Sequence, residues 1–335
     1  MTGEAQSCFL PGTKVQFAWD STSLGMLKTC PRLYQYQMIE GWTTRAESIH
    51  LRWGIEYHAA LQDFDLLRAE GTGFDDAVRE TISRLLDRIH TWQPDPDLDK
   101  RSEALKSKSA LVQTVIWYLD HFRDDAAETV ILDNGKPAVE LSFRFELDWG
   151  PSQGQYLTVS QIREREGIFN ISVNQPYLLC GHLDRVVNFQ GAMFVMDRKT
   201  TTTTPSAYYF AQYEPNNQMT LYTLASRVIL GTPIRGVIID VAQVLSDSSR
   251  FVRGFTYRTE DQLSEWMLDL SYWFNLAETF ATNGYWPMND TACDKFGGCR
   301  FRSICSKSSQ VREQFLRSDF VQQPPEDRWN PLKPR

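Results

Sequence analysis

The stretch "GHLDRVVNFQGAMFVMDRKT", residues 181–200, holds two apolar runs that alternate with period two and are separated by turn residues at Gln190 and Gly191, the pattern of a β-hairpin. Into those strands it sets Asp184 and an Asp-x-Lys at Asp197 and Lys199. Residues two apart on a strand share a face, so Asp197 and Lys199 project together while Met196 and Arg198 face the other way, and Asp184 is expected to end the neighbouring strand. Carboxylates among apolar strand residues are costly unless something pairs with them. Two that meet across adjacent strands repel unless a divalent cation bridges them, and an oxygen-rich site of this kind suits magnesium or manganese. A lysine beside such an ion can orient a water or help deprotonate it, and can stabilise negative charge developing on a phosphate. A plain Asp–Lys ion pair on an edge strand is the competing reading, because a motif this short recurs by chance.

Upstream of the hairpin the pattern is helical. A helix is expected from cap-type Ser21 or Ser23 to Gly41, bent or broken at Pro31, and apolar residues return at helical spacing over 47–68, 74–90 and 102–128. After Asn134-Gly135 the texture changes to alternating strands at 138–149, 155–164 and 167–174, leading into the hairpin. Downstream come a helix over 215–230, with Pro215 in its first turn and Gly231 at its C-terminal cap, strands at 234–245 and 250–258, and a long helix over 260–281. Residues 1–20 read as a lead-in and 311–335 as a tail ending in a stretch rich in proline and charge. The order predicts an α+β fold: a central mixed β-sheet flanked by helices, with an N-terminal helical subdomain and a helical insertion over about 70–130.

Composition narrows the function. With 42% hydrophobic residues, the chain of 335 residues is globular, and its formal net charge of −7 excludes a protein that coats nucleic acid by bulk electrostatics, though not a local basic groove. Basic residues do gather at Lys100, Arg101, Lys106 and Lys108, and again at Arg300, Arg302, Lys307, Arg312 and Arg317; solvated helix faces account for the first set and compete evenly with a functional role for the second. The sequence shows neither a membrane span nor a secretory signal, so a cytoplasmic protein is expected.

Of the six cysteines, Cys293, Cys299 and Cys305 are equally spaced, and Cys30 is the candidate for a fourth partner. In a chain without a secretion signal such a set points to a metal or cluster site rather than a disulfide framework. Four thiolates can hold a [4Fe–4S] cluster or zinc; the close Cys pairs typical of structural zinc are absent, and unligated thiols are the third possibility. Cys8 and Cys180 are expected to be non-ligands, Cys180 in the core.

The arrangement Gly181-x-x-Asp184, a span of roughly a dozen residues, then Asp197-x-Lys199-Thr200 resembles the core of the PD-(D/E)xK nuclease superfamily, in particular its RecB-like exonuclease branch. Three further motifs of that branch occur in the right order: Gly54-x-x-x-His58, Gln218-x-x-x-Tyr222 and the cysteine set, so the resemblance spans roughly residues 21–310. On composition alone His58 reads as a satisfied core histidine and the Gln–Tyr pair as partial burial. The resemblance implies instead a restriction-endonuclease-like core in which His58, Asp184, Asp197 and the backbone carbonyl of Arg198 hold Mg2+ or Mn2+, Lys199 assists the attacking water, and Gln218 and Tyr222 line the cleft. Gly54 is expected to leave room for close approach of another element.

Glu140 is a candidate additional acid, against a plain solvent-facing strand residue, and the hydroxyls of Thr200 to Thr204 could touch phosphate. One distant cysteine before a C-terminal trio is similar to the iron–sulfur nucleases of the CRISPR-associated and AddAB types, although their usual trio is more tightly spaced between its first two members. The resemblance implies a [4Fe–4S] cluster on Cys30, Cys293, Cys299 and Cys305 that clasps the N- and C-terminal segments and holds Arg300 and Arg302 near DNA. It further implies exonucleolytic hydrolysis of phosphodiesters, on DNA that is single-stranded or has free ends, with a helicase, recombination or CRISPR-adaptation partner. A non-cleaving DNA-binding scaffold and a redox-responsive regulator are the readings from other classes; the intact acids, lysine and histidine weigh against the first.

Overall fold

The computed structural model describes residues 6–45, 48–92, 105–151, 176–294 and 298–333. The strands expected at 155–164 and 167–174 lie outside the described residues. In chain order the first elements are β1 (Ala18–Trp19), α1 (Ser21–Thr29), α2 (Pro31–Tyr34), β2 (Trp42–Thr44), α3 (Ile49–Ala69), α4 (Phe74–Ile89) and α5 (Lys108–His121). They are followed by β3 (Glu128–Thr129), β4 (Val139–Glu146), β5 (Leu178–Phe189), β6 (Ala192–Thr201), α6 (Ala207–Ala211), α7 (Asn217–Leu230), β7 (Gly236–Val244) and β8 (Ser249–Thr256). Last come α8 (Glu260–Asn283), α9 (Arg302–Cys305), α10 (Arg312–Asp319) and β9 (Phe320–Gln322). The chain divides into two compact units, one made of Met1–Arg45, Ser142–Gly181 and Glu260–Arg335, the other of Ala46–Leu141 and His182–Thr259.

The unit Ala46–Leu141 with His182–Thr259 is built on the hairpin. β5 and β6 pair antiparallel from Arg185↔Met196 to Phe189↔Ala192, around a turn in which Gln190 and Gly191 both have positive φ, 52° and 78°, as a two-residue hairpin loop requires. β6 pairs parallel with β7 from Phe194↔Gly236 to Thr201↔Gln243, and β7 pairs antiparallel with β8, so the sheet is mixed as expected. Every residue of β7 is buried, which is why its sequence, GVIIDVAQV, is almost continuously apolar rather than alternating. Against Ala242 and Val244 pack Trp53, Tyr57 and Leu61 of α3, Leu85 and Ile89 of α4, and Leu111, Val115 and Leu119 of α5. In α4 the buried residues Ala77, Thr81, Leu85 and Ile89 recur every four positions, an amphipathic stripe.

Helix α7 begins later than its proline suggested. Pro215 lies outside it, and Asn216 is the N-cap, its Oδ1 accepting from the amides of Gln218 and Met219 at 2.9 and 3.2 Å. Gly231 closes the helix at φ 60°, as expected of the left-handed cap.

The other unit corrects three expectations. Residues 16–20, placed in the lead-in, are buried, and β1 pairs parallel with Leu178 and Leu179. Trp19 stacks between Tyr34 and Phe274, ring centroids 5.7 and 4.8 Å away. Two aromatic rings bury enough apolar area to order a segment too short for any periodicity to announce. Asp20, rather than a serine, caps α1: its Oδ1 accepts from the Ser23 amide at 2.8 Å in a capping box. The helix stops at Thr29, Cys30 is extended, and Pro31 opens α2 at the position where its missing N–H costs nothing. The stretch expected as a tail contains α10 and β9, and β9 pairs antiparallel with β2, burying Phe320 against Phe301 at 4.7 Å. Among the described residues no helix is long and apolar enough to cross a membrane.

One ion pair positions α3 on the sheet. Arg198 of β6, 2% exposed, donates from Nη2 to Asp65 Oδ2 at 2.6 Å, and Arg185 Nη1 of β5 stands 3.6 Å from the other oxygen. Asp65→Asn leaves Arg198 buried without its counter-charge, so a loss of about 3–5 kcal/mol is expected in urea unfolding. An unchanged midpoint contradicts this assignment.

Candidate active site

Asp184 and Asp197 come from adjacent strands, and both are buried, 7% and 1% exposed. Asp184 does not end β5, as expected, but lies inside it, because the strand runs unbroken from Leu178 to Phe189. Its Oδ2 accepts from the backbone amide of Arg198 at 2.9 Å and lies 3.2 Å from His58 Nδ1. On β6, Lys199 Nζ sits 2.7 Å from Asp197 Oδ2, donates to Asp197 Oδ1 at 3.0 Å and to Gln218 Oε1 at 3.2 Å, and Gln218 Nε2 donates to the Tyr222 hydroxyl at 2.9 Å. His58 from α3, the two acids and the lysine from the hairpin, and Gln218 and Tyr222 from α7 thus meet at one place within one unit.

The electrostatics follow from that crowding. Burial, partly offset by Lys199 and reinforced by the negative charge of Asp184, pushes the Asp197 carboxyl up to about 6. Burial would also raise Asp184, but His58, Lys199 and the Arg198 amide outweigh it and hold that carboxyl well below the usual range. Burial would lower Lys199, yet Asp197 and Asp184 overcome it and raise its ammonium above the ordinary value. A third buried acid on the sheet, Asp240, is fully engaged, by the Tyr118 hydroxyl and by Arg253 Nε at 3.3 Å. Asp197 differs: its buried Oδ2 touches Lys199 but accepts no directed hydrogen bond.

That oxygen bears on the cation the sequence led us to expect. Two buried carboxylates and an imidazole form a hard, oxygen-rich donor set that fits magnesium or manganese, and the acid–acid repulsion and the undersatisfied Asp197 oxygen are features a dication relieves. In this arrangement Asp184 is engaged by His58 and Asp197 by Lys199, and among the described residues no group of three His, Cys, Asp or Glu side chains is arranged to share one ion. Arg198 turns its side chain away from the acids, as alternation predicts, to meet Asp65.

Several other candidates can now be placed. Glu140, at φ 48°, is half-buried near the start of β4 rather than solvent-facing. A Cβ built on Gly54 would meet Thr200 Oγ1 at 3.8 Å, an ordinary contact, so this glycine is not required for close approach. In the threonine run, Thr201 Oγ1 accepts from the Thr203 amide at 3.0 Å and Thr204 Oγ1 from Gln243 Nε2 at 3.4 Å, local bonds of a strand end.

Two residues escaped the sequence reading. Asp65 lies seven positions after His58, on the same face of α3, and that spacing was the available signal. Lys106, assigned to a solvated basic face, is 2% exposed; its Nζ lies 4.0 Å from the Trp53 ring centroid and donates to Thr200 Oγ1, next to the site lysine, at 3.2 Å.

The cysteine set lies in the other unit, where all four thiols are free. Cys30 Sγ accepts from the Asn289 amide at 3.3 Å, the Cys293 thiol points to the Asn289 carbonyl at 4.0 Å, and the Cys299 amide donates to the Cys293 carbonyl at 2.8 Å. Cys293 is raised by burial and then by Cys299 and Cys30; Cys305 is raised by burial, opposed by Arg32 and Arg312 and reinforced by Cys30 and Cys299. Cys30 and Cys299 thus each bear on both Cys293 and Cys305. Arg300 and Arg302 are exposed, and Arg302 pairs with Asp294. Cys8 and Cys180 are core residues whose thiols burial pushes up to about 12.

Against known proteins, the family model of the PD-(D/E)XK nuclease superfamily matches residues 21–306. None of the curated proteins matches the chain. Among solved structures, one described as a "Putative exonuclease" from Eubacterium rectale aligns at 10% identity over 90% of this chain and 93% of that chain, with a TM-score of 0.46.

Lys106 has a pH signature. Burial pushes its ammonium down to about 8, so between there and its ordinary value the unfolded chain binds more protons and stability rises with pH; below about 8 the full penalty is present. Lys106→Met is expected to be more stable than wild type by about 1–3 kcal/mol at pH 7, with the advantage shrinking as pH passes from 8 towards 10.5. A pH-independent difference in denaturation midpoint contradicts the buried ammonium.

Proposed function

Since the chain belongs to the PD-(D/E)XK nuclease superfamily, we propose that it is a dication-dependent DNA exonuclease of the RecB-like branch. The observation that carries this reading is that His58 meets Asp184 on β5 while Lys199 meets Asp197 and Gln218 on β6 and α7, the two groups joined where the Arg198 amide, between Asp197 and Lys199, donates to Asp184. His58, Asp184, Asp197 and the Arg198 carbonyl are the residues that would hold Mg2+ or Mn2+. When bound, the dication polarises the scissile phosphate and makes a water nucleophilic.

The protein's own residues do the rest. Two of the three Lys199 N–H groups are directed at Asp197 and Gln218, and the third is the donor we assign to the attacking water or a phosphate oxygen. Gln218, fixed by Tyr222 from one turn along α7, keeps the lysine from folding wholly onto Asp197. His58 stands 3.2 Å from Asp184 Oδ2, which sets the imidazole beside the carboxylate with which it would share the ion. The water oxygen bonds to phosphorus as the bond to the leaving sugar oxygen breaks, and the proton that the water gives up is balanced by the one that the leaving oxygen takes from solvent. DNA ends or single strands are the assigned substrate, in recombination, repair or CRISPR-related processing with a helicase or adaptation partner, in the cytoplasm.

The four cysteines are assigned to a [4Fe–4S] cluster, supported by the meeting of Cys30 and Cys293, from distant parts of the chain, at Asn289. Its role is to clasp Cys30 to the C-terminal segment.

End-labelled DNA incubated with manganese should be degraded by wild type and spared at least about a hundredfold by Lys199→Ala. Equal digestion by the two proteins defeats the nuclease assignment. The same anaerobic preparation should be coloured and carry about four irons per chain, and a colourless, iron-free protein defeats the cluster.

A further inference from the structure

A cavity of about 460 Å³ lies in the unit that carries the cysteines, within the size range of small-molecule sites. Its charge is lopsided. Of its two acids, Glu313 is taken by Arg317 at 2.6 Å, and Glu40 accepts from Gln35 Nε2 at 2.7 Å and Trp42 Nε1 at 3.0 Å. Arg32 and Arg312 are left without a carboxylate among the described residues. Arg32 is 7% exposed, and its side-chain bond is to the Tyr285 hydroxyl at 3.4 Å; Arg312 spends its donors on the carbonyls of Lys307 and Cys305 at 3.0 and 3.1 Å. Burying a guanidinium against neutral partners alone is expensive. In a chain of net charge −7, this buried arginine with the half-buried Arg312 beside it on one wall marks a place for an anion.

The rim supplies the second half of a ligand. Tyr285 is 63% exposed, with the Arg32 guanidinium 5.8 Å from its ring centroid. It follows Gly284, whose φ of 63° ends α8 in the left-handed conformation and turns the chain; the Tyr285 amide bonds back to the Phe280 carbonyl at 3.1 Å. The tyrosine is thus a large aromatic face held out by an anchored backbone beside an anion-seeking wall. Phosphate and stacking surface together are the recognition chemistry of a nucleotide.

We infer that this cavity binds one nucleotide unit of single-stranded DNA, its phosphate on Arg32 and Arg312 and its base on the Tyr285 ring. The inference rests on the nuclease reading for the identity of the strand. It differs from the expectation for Arg300 and Arg302, which are exposed and line no part of the cavity. Arg32 also opposes the upward push that burial gives the Cys305 thiol, so a role confined to the cysteines is the rival explanation.

The test uses the full chain, purified anaerobically, with no dication added, and reads fluorescence anisotropy of a short 5′-phosphorylated, 3′-labelled oligothymidylate. Tyr285→Ala removes an exposed ring and leaves the fold and iron content intact; it should weaken binding about tenfold, while Tyr285→Phe binds like wild type. Arg312→Gln should reduce the salt slope of log K by about 0.7. Wild-type affinity and salt slope in both Tyr285→Ala and Arg312→Gln overturn the inference, as does thymidine monophosphate competing at the same concentration as the oligonucleotide. If Arg32→Met loses iron while Tyr285→Ala binds like wild type, the rival explanation stands instead. Cleavage under manganese is read separately: binding that responds to these variants in a protein that cannot cleave faults the nuclease reading alone, and cleavage with indifferent binding faults the cavity alone.

Discussion

Two carboxylates buried on neighbouring strands repel each other, and the unit around the hairpin is arranged to let them stay. Asp184 is 7% exposed and Asp197 1%, and each raises the cost of ionising the other. The hairpin presents them, α3 supplies His58 to one, β6 supplies Lys199 to the other, and α7 supplies the glutamine that divides the lysine's donors. Behind the acids, Asp65 and Arg198 tie α3 to β6, so the helix that delivers the imidazole is held at two points seven residues apart. A group of charges this crowded is a poor way to stabilise a fold and a good way to hold a dication and a phosphate.

The parts of this arrangement that local rules determine were legible in the sequence. Period-two alternation put Asp197 and Lys199 on one face and Arg198 on the other, and four-residue spacing stacked Gln218 on Tyr222. The mixed sheet and the cap at Gly231 follow from the same rules. His58 is different. Nothing in its helix distinguishes a ligand from a packed histidine, and only resemblance to a family singled it out before its contact with Asp184 was seen.

The misses share a cause: they depend on tertiary partners that leave no periodic trace. A two-residue strand is too short to alternate, so the burial of Trp19 between Tyr34 and Phe274 could not be read from residues 1–20. Lys106 was assigned to solvent because lysines almost always are; the Trp53 ring that shelters it stands more than fifty positions away in sequence. The tail held a strand because Phe320 found Phe301. Pro215 misled because Asn216, with a side chain able to accept two amides, is the stronger helix start.

The claim on which the account turns is that His58, Asp184 and Asp197 act on one ion. Manganese titrated into the protein and followed by electron paramagnetic resonance tests it without reference to catalysis. The account predicts a saturable site whose affinity falls at least about tenfold in each of His58→Ala, Asp184→Asn and Asp197→Asn. Manganese bound equally well by all three variants would show that these side chains keep company for some other reason.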